Sequence, residues 1–462
     1  GRESHHFVRL HETAMWEDYK LGRTALDISG DQEGLTAGYL TATPQDFAFT
    51  MERHPKGVPN APVHEYPQGI PRWLRLWGTH LPCLEAGQKW KSEPVSLYVH
   101  FGDWHAGATF VRNHLFPELT VVQPPRAIPK LELADTPAWM RDFVGWTEIL
   151  GKLYTGEVFY DFKKCADRVV ADASVTGLDL LFYYGHTQLG AEGADLDQSP
   201  ATDLGGEKGF ARMLKRLRTH GIRVMLLDHL HRFINQDIPE YGKLKLERYA
   251  VRDSRQGLVE SRWWKETVLS CRRLEGPTPR WLEMCPACPE WQEIYLCHVR
   301  QMIERGVDGL ELDCFGCFDC CYSPDHGHPV GAPLWREKIA FMRRVREMAK
   351  RLNPDFIFIG ETMAPESRAV CDGWYNNRFP DENGRVFRFL FPEYREQAVL
   401  VGNYAYDAVN KALMLGVGVE TEIWGLRKTT LDACPELARY IGEVNALRRR
   451  FGDVLIRGTF RD

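Results

Sequence analysis

The chain changes its pattern of hydrophobic and polar positions near residue 125. Before that point, short apolar segments such as Ala37–Thr43, Phe47–Met51 and Val95–His100 are separated by proline and glycine, which is typical of β-strands joined by turns. We therefore predict a β-rich, sandwich-like region over residues 1–125. Residues 123–129 (QPPRAIP) are rich in proline, which fixes φ and removes a backbone donor, and from this we predict a linker over residues 126–136.

After the linker, apolar runs alternate with amphipathic stretches such as Phe210–His220, whose apolar side chains recur at positions i, i+3, i+4 and i+7. We predict eight strands at Phe143–Ile149, Leu178–Tyr184, Ile222–Leu227, Gly309–Asp313, Phe356–Gly360, Gly373–Asn376, Val386–Phe391 and Gly416–Glu422. Their alternation with helices predicts an α/β fold, a (β/α)₈ TIM barrel over residues 137–452. Residues 453–462 would begin a truncated C-terminal β region. A doubly wound sheet is the alternative, although no glycine-rich turn follows the first predicted strand.

Composition and charge limit the classes of binding partner that we expect. The 462 residues carry a net charge of −5, with 44% hydrophobic and 26% charged residues, which is ordinary for a soluble globular protein. We expect no nucleic-acid partner because no basic excess is present, and no membrane partner because no run approaches the ~20 apolar residues of a spanning helix. The start at Gly1 lacks a signal-peptide pattern, and we interpret it as a processed or excised end. Cytoplasmic and secreted locations both stay open.

Chemistry in such a barrel lies at the C-terminal ends of the strands, so the residues at those ends are the candidates. In chain order they are Trp146, His186, Asp228, His229, His231, Glu311, Asp313, Glu361, Glu393, Glu422 and Trp424. Carboxylates can serve as acid, base or nucleophile on a glycosidic bond, and aromatic faces stack on sugar rings. These residue types predict a carbohydrate substrate and a reaction that requires no cofactor.

Three segments resemble strand motifs of α-amylase-type glycoside hydrolases. Residues 221–228 (GIRVMLLD) resemble the third-strand motif, and residues 306–313 (GVDGLELD) resemble the fourth-strand motif, which carries the nucleophilic aspartate. Residues 356–361 (FIFIGE) resemble the fifth-strand motif, which ends in the acid/base glutamate. The resemblance implies a retaining glycosidase with Asp313 as the nucleophile and Glu361 as the acid/base.

The sequence also departs from that family. Glu311 stands where an arginine precedes the nucleophile by two residues, Phe233 stands where a histidine follows the third-strand aspartate by five, and the late His-Asp pair has no clear match. The α-galactosidase-like barrels share the fourth-strand nucleophile but place the acid on the sixth strand, which would make Asp372 the acid. A catalytically silent carbohydrate-binding barrel stays open as an alternative.

Cysteine is unusually frequent, with 12 residues, and two CxxC pairs are separated by 25 residues. The candidate metal ligands are Cys285, Cys288, Cys314 and Cys317, with Cys320, Cys321, His326 and His328 as further candidates. The pairs follow the third and fourth predicted strands, so both lie at one rim of the barrel. Thiolates at CxxC spacing suit a tetrahedral zinc that holds loops. Free or disulfide-bonded thiols and a metal-thiolate-dependent hydrolase or lyase are the alternatives.

Overall fold

A computed structural model gives the fold over most of the barrel and part of the N-terminal region. It describes residues 6–9, 25–29, 32–39, 47–53, 74–80, 84, 86–92, 95–115, 135–260, 280–316, 320–361, 367, 369–376, 388–389, 395–399, 405–421 and 431–458. None of the helices in these ranges has the length and apolar character that crossing a bilayer requires.

Antiparallel strands form the N-terminal region. They are β1 (His6–Arg9), β2 (Ala25–Ser29), β3 (Glu33–Tyr39), β4 (Phe47–Arg53), β5 (Leu74–His80) and β6 (Val95–Phe101). Four of them form a sheet in the order β1-β2-β3-β6, while β4 pairs with β5. Helix α1 (Trp104–Leu115) contacts β2, β3 and β6. The prediction of a β-rich portion before the barrel is confirmed, whereas the boundaries at residues 125, 136 and 452 stay predictions.

The remaining strands build the barrel and two small two-stranded antiparallel sheets. They are β7 (Gly145–Leu150), β8 (Leu180–Tyr184), β9 (Arg223–Asp228), β10 (Phe233–Asn235), β11 (Trp281–Glu283), β12 (Gly309–Leu312), β13 (Cys320–Cys321), β14 (Ala332–Pro333), β15 (Ile357–Glu361), β16 (Gly373–Asn376), β17 (Arg395–Val399) and β18 (Gly418–Glu420). Eight of these pair in parallel in the order β7-β8-β9-β12-β15-β16-β17-β18. Because β18 also pairs with β7, the sheet closes. The predicted (β/α)₈ barrel is confirmed.

Helices surround this sheet. They are α2 (Phe162–Thr176), α3 (Gly206–Thr219), α4 (Pro239–Leu244), α5 (Pro289–Arg305), α6 (Trp335–Leu352), α7 (Ala405–Leu415), α8 (Pro435–Arg450) and α9 (Gly452–Leu455). Helix α2 shows how the sequence sets their bounds. Asp161 caps its start by accepting a hydrogen bond from the Lys164 N–H at 2.8 Å, and Gly177 ends it with a left-handed φ of 71°.

The seventh strand differs from the prediction. It is β17, whereas the predicted segment Val386–Phe391 contains helical residues at Arg388 and Phe389. Arg388 is buried and donates to the carbonyl oxygens of Leu415 and Ile456 at 3.2 and 2.8 Å. The described part of this segment, Arg388 and Phe389, is therefore helical and lies outside the sheet. The sequence of β17, REQAV, is too polar to be recognised as a barrel strand.

A glycine makes the closing seam between β18 and β7 possible. Gly145 lies opposite Val419 and has a φ of 139°, and a Cβ at this position would lie 1.9 Å from the Val419 carbonyl oxygen. Only a residue without a side chain allows the first and last barrel strands to approach this closely. The seam is also short, because only Gly145 and Trp146 have paired partners on β18.

Alternation along the strands separates the barrel interior from the helical layer. Interior side chains form one buried cluster that includes Trp146, Phe182, Met225, Ile357, Ile359 and Tyr375. The intervening residues, such as Leu310 and Leu312, pack against the helices instead. The interior row continues past the apolar layer into Glu148, Glu311 and Glu361. The same alternation that buries the core therefore turns carboxyl groups into the barrel mouth.

Candidate active site

Two carboxylates meet at the C-terminal mouth of the barrel. Asp313 directly follows β12, and Glu361 ends the neighbouring strand β15. Leu312 pairs with Gly360, so the residues that follow each of them face the lumen side by side. A carboxylate oxygen of Asp313 lies within 4.8 Å of one of Glu361. The pair predicted from the sequence is brought together.

His229, the first residue after β9, provides a positive charge beside Asp313. Its Nε2 lies 3.3 Å from Asp313 Oδ2 and 3.7 Å from Glu192 Oε2, and its ring packs 5.0 Å from that of Trp281. Burial lowers the pKa of His229, but the two carboxylates outweigh burial and raise that pKa to about 10. The imidazole is therefore a cation at neutral pH.

Asp313 is held as an anion in return. Burial raises the pKa of its carboxyl, but the hydrogen-bonding and positively charged His229, together with a hydrogen bond involving Glu361, lower the pKa below its usual range. Its side chain remains 20% exposed. An ionised carboxylate that a ligand can reach is what nucleophilic attack requires.

The backbone after Asp313 is shaped to contact Glu361. Cys314 has a left-handed φ of 52°, which costs a residue with a side chain about 1–3 kcal/mol. This conformation lets the Cys314 N–H donate to Glu361 Oε2 at 2.7 Å, while the Gly316 N–H donates to the Glu361 carbonyl at 3.1 Å. The turn therefore fixes the acid/base candidate relative to the nucleophile candidate.

A third carboxyl, Glu311, lies deeper in the lumen. Burial, followed by the negative charges of Glu361 and Asp313, raises the pKa of Glu311 well above its usual range. These effects favour the protonated, neutral form of Glu311, and its Oε1 has no hydrogen-bond partner among the described residues. A neutral carboxyl can donate a hydrogen bond where a third carboxylate would repel the other two.

Asp228, predicted as a sugar-binding residue, points away from the lumen toward α5. Its carboxylate accepts hydrogen bonds from the Tyr295 hydroxyl at 2.7 Å and from His298 Nε2 at 3.1 Å, and only 1% of it is exposed. His231 lies behind it, with Nδ1 3.4 Å from Asp228 Oδ2, and burial lowers the pKa of His231 to about 4. Both residues join the end of β9 to the helical layer, and neither faces the mouth.

Trp146 and His186 also differ from their predicted sugar contacts. Trp146 is fully buried inside the barrel against Phe182 and Tyr375, with ring centroids 6.0 Å away, so no face is open for stacking. His186 is buried beside a cavity of about 20 Å³ that it lines together with His229. Burial lowers the pKa of His186 to about 3, so it is neutral. The cavity has room for about one water molecule.

Asp372, the alternative acid, lies at the opposite end of the barrel. It precedes β16, and its carboxylate binds the Arg346 guanidinium through two hydrogen bonds of 2.7 and 2.8 Å. It also accepts the Phe358 N–H at 3.0 Å and the Thr136 hydroxyl at 2.7 Å, and its side chain is fully buried. The prediction failed because it took the sixth-strand carboxylate from the wrong end of the strand.

Four predicted residues lie outside the described residues: Glu393, Glu422, Trp424 and Cys317. Sequence reasoning also missed Glu192 and Trp281, which contact His229 from two different connections. Glu192 has a left-handed φ of 64° in the segment after β8, and Trp281 begins β11, which pairs with β10. Neither belongs to a barrel strand, so no strand-end pattern could have indicated them.

The three predicted CxxC ligands that the structure describes, Cys285, Cys288 and Cys314, do not converge. Cys314 lies beside Asp313 and Glu361, and Cys288 Sγ lies 3.4 Å from Glu290 Oε2. Cys285 instead meets residues that the sequence offered only as further candidates.

Two solved structures that superpose on this chain are glycosidases. An α-N-acetylgalactosaminidase from Bifidobacterium bifidum superposes with a TM-score of 0.65 at 14% identity, covering 97% of this chain and 71% of that one. An α-galactosidase from Thermus thermophilus, solved in complex with stachyose, superposes with a TM-score of 0.53 at 12% identity, covering 90% and 79%. The fold is therefore that of a divergent glycosidase-like TIM barrel.

The family is shown by sequence. Residues 94–386 match the model of a domain of unknown function, DUF6259, so the chain belongs to that family. No curated protein matches the chain. The matched region runs from just before β6 to beyond β16 and contains Asp313, Glu361 and His229.

Proposed function

We propose that the protein is a retaining glycoside hydrolase that cleaves glycosidic bonds in an oligo- or polysaccharide. The observation that carries this proposal is the pair of carboxylates at the barrel mouth, whose oxygens lie within 4.8 Å of each other. Retaining glycosidases hold their carboxyl groups ~5–5.5 Å apart, whereas inverting ones need ~6.5–9.5 Å for a water molecule. The closeness of one oxygen of Asp313 to one of Glu361 therefore supports the retaining geometry over the inverting one.

The electrostatics support a division of labour between the two carboxylates. Asp313, kept ionised by His229, attacks the anomeric carbon while the bond to the leaving oxygen breaks, and Glu361 donates its proton to that oxygen. In the second step Glu361 takes a proton from water, the water oxygen attacks the anomeric carbon, and Asp313 is released. Asp313 loses its negative charge when it forms the glycosyl-enzyme. The nearby Glu361, which has donated its proton in the same step, is then the anion of the pair.

The substrate proposal draws on the structural neighbours. Because the two glycosidases act on α-N-acetylgalactosaminide and α-galactoside groups by their names, we propose a sugar of this type as the first group to test. At the mouth, His229 can hydrogen-bond a sugar hydroxyl. Aryl α- and β-glycosides and natural oligosaccharides form the test panel.

The experiment measures turnover on that panel and follows the first product anomer by proton NMR. We expect the product to keep the configuration of the substrate, and we expect Asp313→Asn to lose activity by about 10⁴-fold or more. Asp237→Asn, at an exposed surface ion pair with Arg280, is the matched control and should turn over like the wild type. Inversion of configuration, or full activity of Asp313→Asn, would contradict the proposal.

Leaving groups test the role of Glu361 separately. Glu361→Gln should lose about 10²–10⁴-fold on a sugar leaving group, but much less on nitrophenolate, which needs no proton. Equal losses on both would make Glu361 a residue that positions Asp313. The first carboxylates after β16 in the sequence are Asp381 and Glu382. If Asp381→Asn or Glu382→Gln alone shows the leaving-group pattern, the acid follows the sixth strand instead.

The alternative of a catalytically silent, carbohydrate-binding barrel predicts a different outcome on the same panel. Binding of a sugar from the panel, measured by calorimetry, without hydrolysis of any member would favour the carbohydrate-binding alternative. The same binding should then survive in Asp313→Asn.

A further inference from the structure

Four buried side chains outside the barrel mouth converge on one point. Cys285 follows β11, while Cys321, His326 and His328 belong to the β13–β14 hairpin and the segment inside it. One ligand atom from each of the four lies within 4.8 Å of those of the other three. Cys285 Sγ is 3.4 Å from His328 Nε2, and Cys321 Sγ is 3.5 Å from His326 Nδ1.

We propose that Cys285, Cys321, His326 and His328 form a structural Zn²⁺ site of the Cys₂His₂ type. Zinc binds thiolate sulfur at about 2.3 Å and imidazole nitrogen at about 2.0–2.1 Å in a tetrahedron. Those bond lengths place sulfur and nitrogen ligands about 3.6 Å apart. The two measured sulfur–nitrogen distances match this separation.

The outer nitrogen of each histidine shows which nitrogen is free to bind metal. His326 Nε2 lies 2.8 Å from the Arg248 carbonyl oxygen, and His328 Nδ1 lies 2.8 Å from the Pro329 carbonyl oxygen. A carbonyl oxygen only accepts, so each of these nitrogens carries the proton. In the neutral ring the opposite nitrogen then presents its lone pair toward the sulfurs. Zinc-binding histidines are oriented by this same outer contact.

Burial makes a metal a better explanation than four unrelated polar groups. Cys285 and Cys321 are fully buried, His326 is 2% exposed and His328 is 9% exposed. Water therefore has little access to the point where the four side chains meet. Four protein ligands also fill the tetrahedron, leaving no open position for a substrate, so the site is structural.

The proposed zinc would join two connections at the mouth side of the barrel. Cys285 lies just before α5, and the hairpin lies in the connection from β12 to α6, the same connection that begins with Asp313 and Cys314. Few backbone hydrogen bonds tie these parts together, such as the one from the Tyr322 N–H to the Arg252 carbonyl at 2.8 Å. This proposal stands independently of the glycosidase proposal.

The experiment measures metal in the full chain purified under reducing conditions without added chelator. We expect about one zinc per chain by inductively coupled plasma mass spectrometry. Growth with cobalt(II) should give the strong visible absorption of a tetrahedral cobalt site with thiolate ligands. Cys321→Ser and His326→Ala should each lower bound metal at least tenfold. Cys288→Ser and Cys297→Ser are the matched controls and should keep the full amount, because neither thiol belongs to the cluster.

A second measurement covers variants that fail to fold. In the wild-type protein, modification of thiols with a mercurial should release the zinc to a chromogenic chelator, and 1,10-phenanthroline should lower Tm without changing the Tm of a chain already stripped of metal. Absence of stoichiometric metal in the wild type, a disulfide between Cys285 and Cys321 in a non-reducing peptide map, or metal loss in Cys288→Ser equal to that in Cys321→Ser would each overturn the proposal.

Discussion

The two ends of the barrel each hold an aspartate beside a cation, and the two aspartates differ in how far the protein encloses them. At the mouth, Asp313 lies 3.3 Å from His229, and its side chain is 20% exposed. At the other end, Asp372 makes two hydrogen bonds to Arg346 and accepts two more from Phe358 and Thr136, with no exposed side chain. Asp313 can still be reached by a ligand, whereas hydrogen bonds from the protein already surround the carboxylate of Asp372.

The difference follows strand direction. The C-terminal ends of parallel strands all open on one side, where the connections can surround a ligand, whereas the N-terminal ends are closed by tight returns. Asp372 and Arg346 illustrate the closed side, because Arg346 also binds Asp135 at 2.9 Å and so ties α6 to the segment that enters the barrel. A buried charge pair is thus a functional candidate only when its position along the strand is known.

The largest expected effect separates the two aspartates by activity. Asp313→Asn should lower kcat/KM about 10⁴-fold or more, yet lower the free energy of unfolding by less than the ~3–5 kcal/mol of a broken buried pair, because the Asp313 side chain is 20% exposed and His229 keeps Glu192 as a second anion. Paired kinetics and urea titrations check both values. A large loss of stability would make the mouth resemble the closed end.

The next effect is on stability. Asp372→Asn should lower the free energy of unfolding by about 3–5 kcal/mol, because it removes the buried carboxylate that pairs with Arg346 and leaves only the half-exposed Asp135 as an anionic partner. Urea titration gives this value, and kcat of the folded fraction should stay within a few-fold of wild type. Asp135→Asn is the control: that carboxylate is 46% exposed, so its loss should cost no more than about 1 kcal/mol. Equal costs for the two variants would contradict the contrast.

A smaller effect concerns the pH profile. His229→Gln removes the charge that lowers the pKa of Asp313, so this pKa should rise and the acidic limb of kcat/KM should move to higher pH. We expect about a 10–100-fold loss at neutral pH. Glu192→Gln removes one of the carboxylates that raise the pKa of His229, so it should instead move the basic limb to lower pH. If the acidic limb is unchanged in His229→Gln, then His229 does not set the pKa of Asp313.

The smallest effect is a change of stability with pH. The pKa of His229 is raised to about 10 in the folded chain, above the value of about 6.5 in an unfolded one. Its contribution is therefore complete below pH ~6.5 and is lost as pH rises toward 10, so the free energy of unfolding should fall by at least about 1 kcal/mol over this window. Urea titrations at both ends should show a smaller fall in His229→Gln than in the wild type.

The sequence predicted the barrel well because parallel strands buried on both faces are continuous apolar runs. Seven of the eight predicted strands overlap barrel strands, and the exception is polar β17. Asp313 and Glu361 were found together because consecutive strands with the same ending bring their last residues side by side. Asp228 failed because its position one residue earlier than His229 turns it to the opposite face. The sequence analysis ranked the CxxC cysteines above Cys321, His326 and His328 as metal ligands, because spacing does not show which loops fold onto each other.

The glycine seam between β18 and β7 has a consequence for how the protein is made. The two strands that close the barrel are its first and its last along the chain. Gly145 can therefore pair with Val419 only after residue 419 has been synthesised. Until the ribosome has released that part of the chain, the nascent sheet has two unpaired edges. Exposed strand edges are templates for association with other chains, so the chain is most exposed to such association in the interval before closure.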